Sequence, residues 1–172
     1  ESYFSKLSNE FSKMLSLISC KNIINGLGSF SVDENKLPEL EKLLYGSYMA
    51  GLAQSTTSVG IIHAISHVVS PKANLGHGHL NTIILPHILE FYNSKNVDVD
   101  NFAKSIGCKD IKELISIINS FISQHNIEVI KSGDILVDSD LIEEIKNDMC
   151  FKTSPIIISD NELSNILEQI IE

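Results

Sequence analysis

The chain has 172 residues, a formal net charge of −9 and no tryptophan. That length suits one domain with a real core and is too short for two comfortable ones. The acidic balance, with no basic stripe to neutralise phosphates, argues against nucleic acid and an anionic membrane surface. No apolar run approaches the roughly 20 residues a bilayer needs.

Cys20, Cys108 and Cys150 are odd in number and widely spaced, with no CxxC pair. They read as buried or half-buried thiols in a reducing, cytoplasmic compartment. No signal-peptide pattern is present. The chain starts Glu1-Ser2-Tyr3 inside an amphipathic pattern, which reads as a cut through a longer protein.

From about Asn9 to Leu27, Phe11, Leu15, Ile18 and Ile23 recur at near-helical spacing, and Gly26 and Gly28 end the run. Ser31 to Asn35 is a polar loop. Pro38 suits a helix first turn, and Leu40, Leu43, Leu44, Met49 and Leu52 continue an apolar stripe. Gly46, Ala50 and Gly51 allow close approach of a neighbouring backbone. Ser55 to Ser58 is a hydroxyl-rich break, with Ser58 as the expected N-cap of the next helix.

That helix carries His63 and His67 four residues apart, so both share one face. Ser70-Pro71 is expected to end it. The next helix runs from His79 to Phe91, with a kink expected at Pro86. A short helix follows Asp98-Val99-Asp100 and stops at Gly107. Asp110 to His125 is cleanly amphipathic, with Ile111, Leu114, Ile115, Ile118 and Ile122 inward. Val137 to Met149 holds another helix. A last one starts at an Asp160 N-cap, with Leu163, Ile166, Leu167 and Ile170 inward. Ile127–Ile130 and Ile156–Ile158 are the short strand candidates. The fold class is all-α, a single bundle of about seven helices.

Five of the six histidines fall between Gly60 and Asn93. His63, His67 and His77 can converge if the loop after the first histidine helix folds back. Neutral imidazoles suit zinc, iron, copper or nickel. Ala64 occupies the position where an HExxH zinc protease needs its glutamate, which disfavours peptide hydrolysis. The bland alternative is that these are helix-end and core histidines bonded to backbone.

Gly60-x-x-His63-x-x-x-His67 followed by His77-Gly78-x-x-Asn81-x-x-x-Leu85-Pro86-His87 resembles the signature of the iron-containing (group III) alcohol dehydrogenases. Tyr48-Met49-Ala50-Gly51 resembles the family segment upstream. Asp148 with Thr153-Ser154-Pro155 resembles its D…TNPR element. The resemblance covers nearly the whole chain and marks residues 1–172 as the family's C-terminal helical metal-binding domain, related to the helical domain of dehydroquinate synthase. The N-terminal nucleotide-binding domain is absent from this stretch.

The resemblance implies that His63 and His77 are metal ligands, with an Asp and a His from a DxxxH upstream of Glu1. It implies Fe²⁺, with Zn²⁺ as a substitute, and NAD or NADP held mainly by the other domain. His67 matches a catalytic histidine beside substrate and nicotinamide that relays or orients the proton. The implied activity is oxidation of a small-molecule alcohol or reduction of an aldehyde, in a homo-oligomer. Ser70-Pro71-Lys72-Ala73 and Gln54 to Ser58 depart from the family text on the substrate side. His79 takes a surface or supporting place, while His87 and His125 pack or face solvent. Two alternatives stand: an oxidase or lyase on the same scaffold, acting on sugar acids or like dehydroquinate synthase, and a non-catalytic helical scaffold with an incomplete metal site. The isolated stretch is expected to be inactive.

Overall fold

A computed structural model describes residues 1–27, 37–131 and 133–171. The expected end at Gly28 and the loop from Ser31 to Asn35 lie outside the described residues. The chain folds as α1 Glu10–Leu27, α2 Leu37–Thr57, α3 Ile61–Ala73, α4 His77–Ser94, α5 Val99–Ser105, α6 Ile111–Gln124, α7 Ser139–Asn147 and α8 Asp160–Ile170, with a 3₁₀ turn at Phe151–Thr153. The all-α expectation holds. Of the two strand candidates, only Ile130 makes a bridge, parallel to Ile171. No helix among the described residues is long and apolar enough to cross a membrane.

α3 is the axis of the bundle. Ile61, Ile62, Ala64, Ile65, Val68 and Val69 are all buried, so its apolar surface reaches round most of the helix. It packs on α4 and α7, while α4 reaches α5, α6 and α8. Leu80, Ile84 and Ile88 of α4 are buried, as are Ile145 of α7 and Leu163 and Ile170 of α8. Full burial of such a side chain contributes about 1.5–3 kcal/mol. Ile65→Ala therefore removes about 2–5 kcal/mol once the cavity is included.

Helix ends follow local chemistry, with shifts from the sequence reading. α3 does not stop at Ser70-Pro71: Pro71 lies inside it, and the helix ends at Asn74, whose left-handed φ of 53° lets its N–H reach Ser70 O. The preference against helix before proline is overruled in this last turn by the burial of Val68 and Val69 beside it. α4 begins at His77 with Gly76 as its N-cap, two residues before the expected start, and continues through Pro86. The N-cap of α8 is Ser159, one residue before Asp160. Ser159 and Glu162 form a reciprocal capping box. Ser58 does not cap α3; it adopts φ 60° in the tight link from α2, and Gly60 takes the cap position.

α1 and α2 form a hairpin whose inner face differs from the expected one. Phe11, Leu40 and Leu44 are exposed, and the buried residues are Ser12, Leu15, Ser16, Ser19 and Gly26 on α1 and Gly46, Ala53 and Thr57 on α2. A Cβ on Gly46 would meet Ile23 Cγ1 at 2.7 Å and Ser19 O at 3.0 Å. The crossing is closed by small volume, with Leu15 buried and Ile23 and Leu43 lying over glycines, while Phe11, Leu40 and Leu44 are turned outward.

Candidate metal and hydride-transfer site

The site is built on α3 and the start of α4. His63 and His67 stand one turn apart on α3, with ring centroids 6.2 Å apart. The three-residue link after α3 returns the chain so that His77, the first residue of α4, comes back onto them. Its ring lies 5.1 Å from His63 and 5.1 Å from His67, stacked on the latter at 17°. The expected convergence of three imidazoles is present.

The N-terminal segment fixes His63. Tyr3 and Phe4 pack on Phe102, with centroids 4.8 and 5.1 Å away, and Phe4 on Tyr92 at 6.1 Å. Ser5 Oγ donates to Thr57 O at 2.8 Å, and Lys6 N donates to Thr153 O at 2.9 Å. These ties seat the buried Glu1 carboxylate at the N-terminus of α3. It accepts from Ile62 N at 2.7 Å and His63 N at 3.2 Å, and it lies 2.6 Å from His63 Nδ1. Negative charge is favoured there because the first N–H groups of a helix lack intrahelical partners. Burial pushes the Glu1 carboxyl up, but the bonds from His63 and the Ile62 N–H act against it, and the group ends below its ordinary value. Gly60 makes the approach possible, since a Cβ there would sit 2.7 Å from Glu1 Oε1.

With Nδ1 of His63 committed to Glu1, its Nε2 presents the lone pair. Asn81 Nδ2 lies 3.4 Å from that Nε2 and 3.2 Å from His77 Nε2. The two ring nitrogens thus converge on one point, beside the Asn81 amide. A carboxylate behind an imidazole is the usual support for a metal-ligating histidine. The donor set and its aim fit two ligands of a divalent transition metal. Burial, then the neighbouring His63 and His67, hold His77 below its ordinary value, keeping it neutral.

His67 is outside this pair. Its Nδ1 lies 3.0 Å from Asp148 Oδ2, and its side chain is 45% exposed. Asp148 caps the C-terminal end of α7, and its other oxygen accepts from Cys150 N at 2.7 Å. Burial raises the Asp148 carboxyl, but the Cys150 N–H and His67 outweigh it and leave it lowered. The 3₁₀ turn after it is held to the start of α3 by Thr153 Oγ1, which donates to Val59 O and, at 2.8 Å, to Cys150 O. His79 Nε2 lies 2.5 Å from Glu128 O, which ties α4 to the link after α6. His87 is half-buried, and His125 packs against Phe121 with centroids 4.4 Å apart and rings tilted by 44°.

By resemblance the sequence reading takes Glu1-Ser2-Tyr3 as the end of a DAxxHxxE-like run, and it gives the Glu1 side chain no contact with His63. Glu1 lies 62 positions from His63, and a carboxylate near a chain start carries no local signal. Asp148 is visible only as part of a resembling element.

The chain is thus an all-helical domain in which two imidazoles close on one point. Residues 1–170 match the profile of the Fe-containing alcohol dehydrogenase family, C-terminal, and the chain belongs to that family. It is 25% identical to alcohol dehydrogenase 4 of Schizosaccharomyces pombe over 183 aligned residues, covering 98% of this chain and 42% of that protein. A 1,3-propanediol dehydrogenase of Citrobacter freundii is 26% identical over 91 residues, covering 53% of this chain and 24% of its own length. The fold is shared with the iron-containing alcohol dehydrogenase of Thermococcus thioreducens, with a TM-score of 0.81, 22% identity and coverage of 99% of this chain and 46% of that one. It is shared also with a sulfoacetaldehyde reductase from Bifidobacterium kashiwanohense solved with NAD⁺, with a TM-score of 0.87, 19% identity and coverage of 99% and 46%. The chain spans about half the length of the curated relatives it matches over its full extent.

Proposed function

We propose that this chain is the metal-carrying half of an NAD(P)-dependent alcohol dehydrogenase acting on a small alcohol or aldehyde. The supporting observation is the shared aim of His63 Nε2 and His77 Nε2, with Glu1 fixing the tautomer of the first. Those two residues would hold Fe²⁺, or Zn²⁺ in its place, together with ligands from outside the described residues. Bound there, the metal would supply Lewis acidity toward the alcohol oxygen, and a nicotinamide held by the other half would supply the hydride acceptor.

The chain's own residues do the rest. Glu1 holds the His63 Nδ1 proton and keeps Nε2 open. Asn81 stands between the two imidazoles and limits their rotation. Asp148 accepts the His67 Nδ1 proton, which leaves His67 Nε2 as the atom able to take a proton from, or return it to, a hydroxyl beside it. The partial exposure of His67 gives that proton a path to water. A second half binding NAD or NADP, a cytoplasmic setting and a homo-oligomeric assembly complete the reading.

The test is alcohol-dependent reduction of NAD⁺ or NADP⁺ by the protein carrying both halves. It is assayed after chelation and again after Fe²⁺ or Zn²⁺ is restored. Metal-dependent turnover is the expected result. Metal-independent turnover, or no bound metal in the complete protein, favours the scaffold alternative.

A further inference from the structure

Among the described residues, donors of three kinds gather at a second place. The ligand atoms of His67, Asp148 and Cys150 all lie within 4.8 Å of one another. They come from α3, from the cap of α7 and from the entry to the 3₁₀ turn. The chain reverses around Asp148, whose carboxylate takes the Cys150 N–H and whose carbonyl takes the Phe151 N–H at 3.2 Å, so Cys150 is brought back to the side that faces His67.

We propose that His67, Asp148 and Cys150 form a thiolate-containing site for a soft or borderline divalent cation, Zn²⁺ or Cd²⁺, separate from the His63–His77 pair. The donor set argues for it. A sulfur, an imidazole nitrogen and a carboxylate oxygen suit zinc or cadmium and not magnesium or calcium, which take oxygen alone. Zinc bonds to such donors run about 2.0–2.3 Å, so a cation at the centre asks the outermost pair to close by about an ångström. The exposed ring of His67 can make that movement, and its open side leaves room for a water as fourth ligand. A carboxylate and a thiolate supply two negative charges for a divalent ion.

Burial, and then the Asp148 carboxylate beside it, push the Cys150 thiol up to about 11. It therefore enters as the thiol. As the sulfur–metal bond forms, the S–H bond breaks and its proton leaves to solvent. No electrons are transferred. A cation here also engages His67, so it acts as a brake on proton transfer. That consequence rests on the function proposed above, and the existence of the site does not.

The experiment is a titration of the chelator-treated chain with CdCl₂, followed by the ultraviolet thiolate-to-cadmium charge-transfer band. Wild type should show a band that saturates at a single equivalent and is displaced by Zn²⁺. Cys150→Ser should lose it, and circular dichroism should show the helical fold retained; Cys150→Ala serves the same end if the serine variant misfolds. Asp148→Asn should weaken cadmium binding about tenfold or more. The double variant His63→Ala/His77→Ala should keep both band and affinity. A band absent from wild type, surviving in the folded Cys150 variants, or lost with His63 and His77, overturns the proposal.

Discussion

The Glu1 carboxylate joins His63 Nδ1 at 2.6 Å and the first free N–H groups of α3, so one acid both caps the helix and aims the imidazole. Glu1→Ala leaves two backbone donors and a ring nitrogen without their acceptor. A loss of about 2–4 kcal/mol is expected, read as a lower urea midpoint. The folded carboxyl is lowered, so its contribution is present above the ordinary carboxylate value and fades as pH falls through the folded one. The midpoints of variant and wild type should therefore draw together in acid.

The α1–α2 crossing gives a contrast between two glycines. Gly46→Ala forces a Cβ against Ile23 and the Ser19 carbonyl, and should cost about 1–3 kcal/mol. Gly51 lies on the same helix with nothing within 4 Å of an added Cβ, so Gly51→Ala should stabilise by about 0.4–1 kcal/mol. Thermal denaturation of the two variants should show shifts of opposite sign.

This crossing is also where the sequence misleads. Periodicity marks α1 and α2 as helices, and they are. It counts Phe11, Leu40 and Leu44 into the apolar stripes because it weighs hydrophobicity, whereas a close helix pair selects for small volume at Ser12, Ser19 and Gly46. For α8 the two criteria agree, and the residues read as inward, Leu163, Ile166, Leu167 and Ile170, are all buried. The shared aim of His63 and His77 is legible because both sit in one helix–link–helix segment. Their supports are not, since Glu1 and Asp148 reach His63 and His67 across 62 and 81 positions. The Pro71 expectation fails because a local backbone preference is weaker than the burial of the turn around it.

The capping box of α8 predicts an acid-sensitive helix end. Bonds from Lys95 and from Ser159 hold the Glu162 carboxyl down at about 2. Its contribution is complete above its ordinary value and is lost as pH falls from there toward 2. Glu162→Gln should melt lower than wild type at neutral pH, and the two melting curves should coincide near pH 2. A gap that persists at the acid end would show that the bonds act without the charge.

Asp148 holds the Nδ1 side of His67, whereas Glu1 and Asn81 are the partners of His63, and Asn81 that of His77. In the protein carrying both halves, on the function proposed above, Asp148→Asn should lower kcat while KM and metal content at the His63–His77 pair stay near wild type. The loss should be smaller than that for removing the relay itself, which contributes roughly 10²–10⁴-fold. Equal losses in kcat and metal content would show that Asp148 instead supports the metal site.

The three imidazoles separate by the same logic. His63 and His77 turn Nε2 toward a common point beside Asn81, whereas His67 is engaged by Asp148 on the exposed side of the stack. Loss of either of the first two removes a ligand, and even supporting residues of metal sites cost about 10–100-fold in affinity when lost. His63→Ala and His77→Ala should therefore come out of purification depleted of metal, measured by mass spectrometry on the complete protein. His67→Ala should keep its metal and lose turnover by roughly 10²–10⁴-fold, as removal of a positioned proton carrier does. If His67→Ala empties the site while His63→Ala retains it, the ligand is the other histidine of the pair. Should all three variants keep both metal and turnover, the histidines are packing residues and the chemistry lies elsewhere.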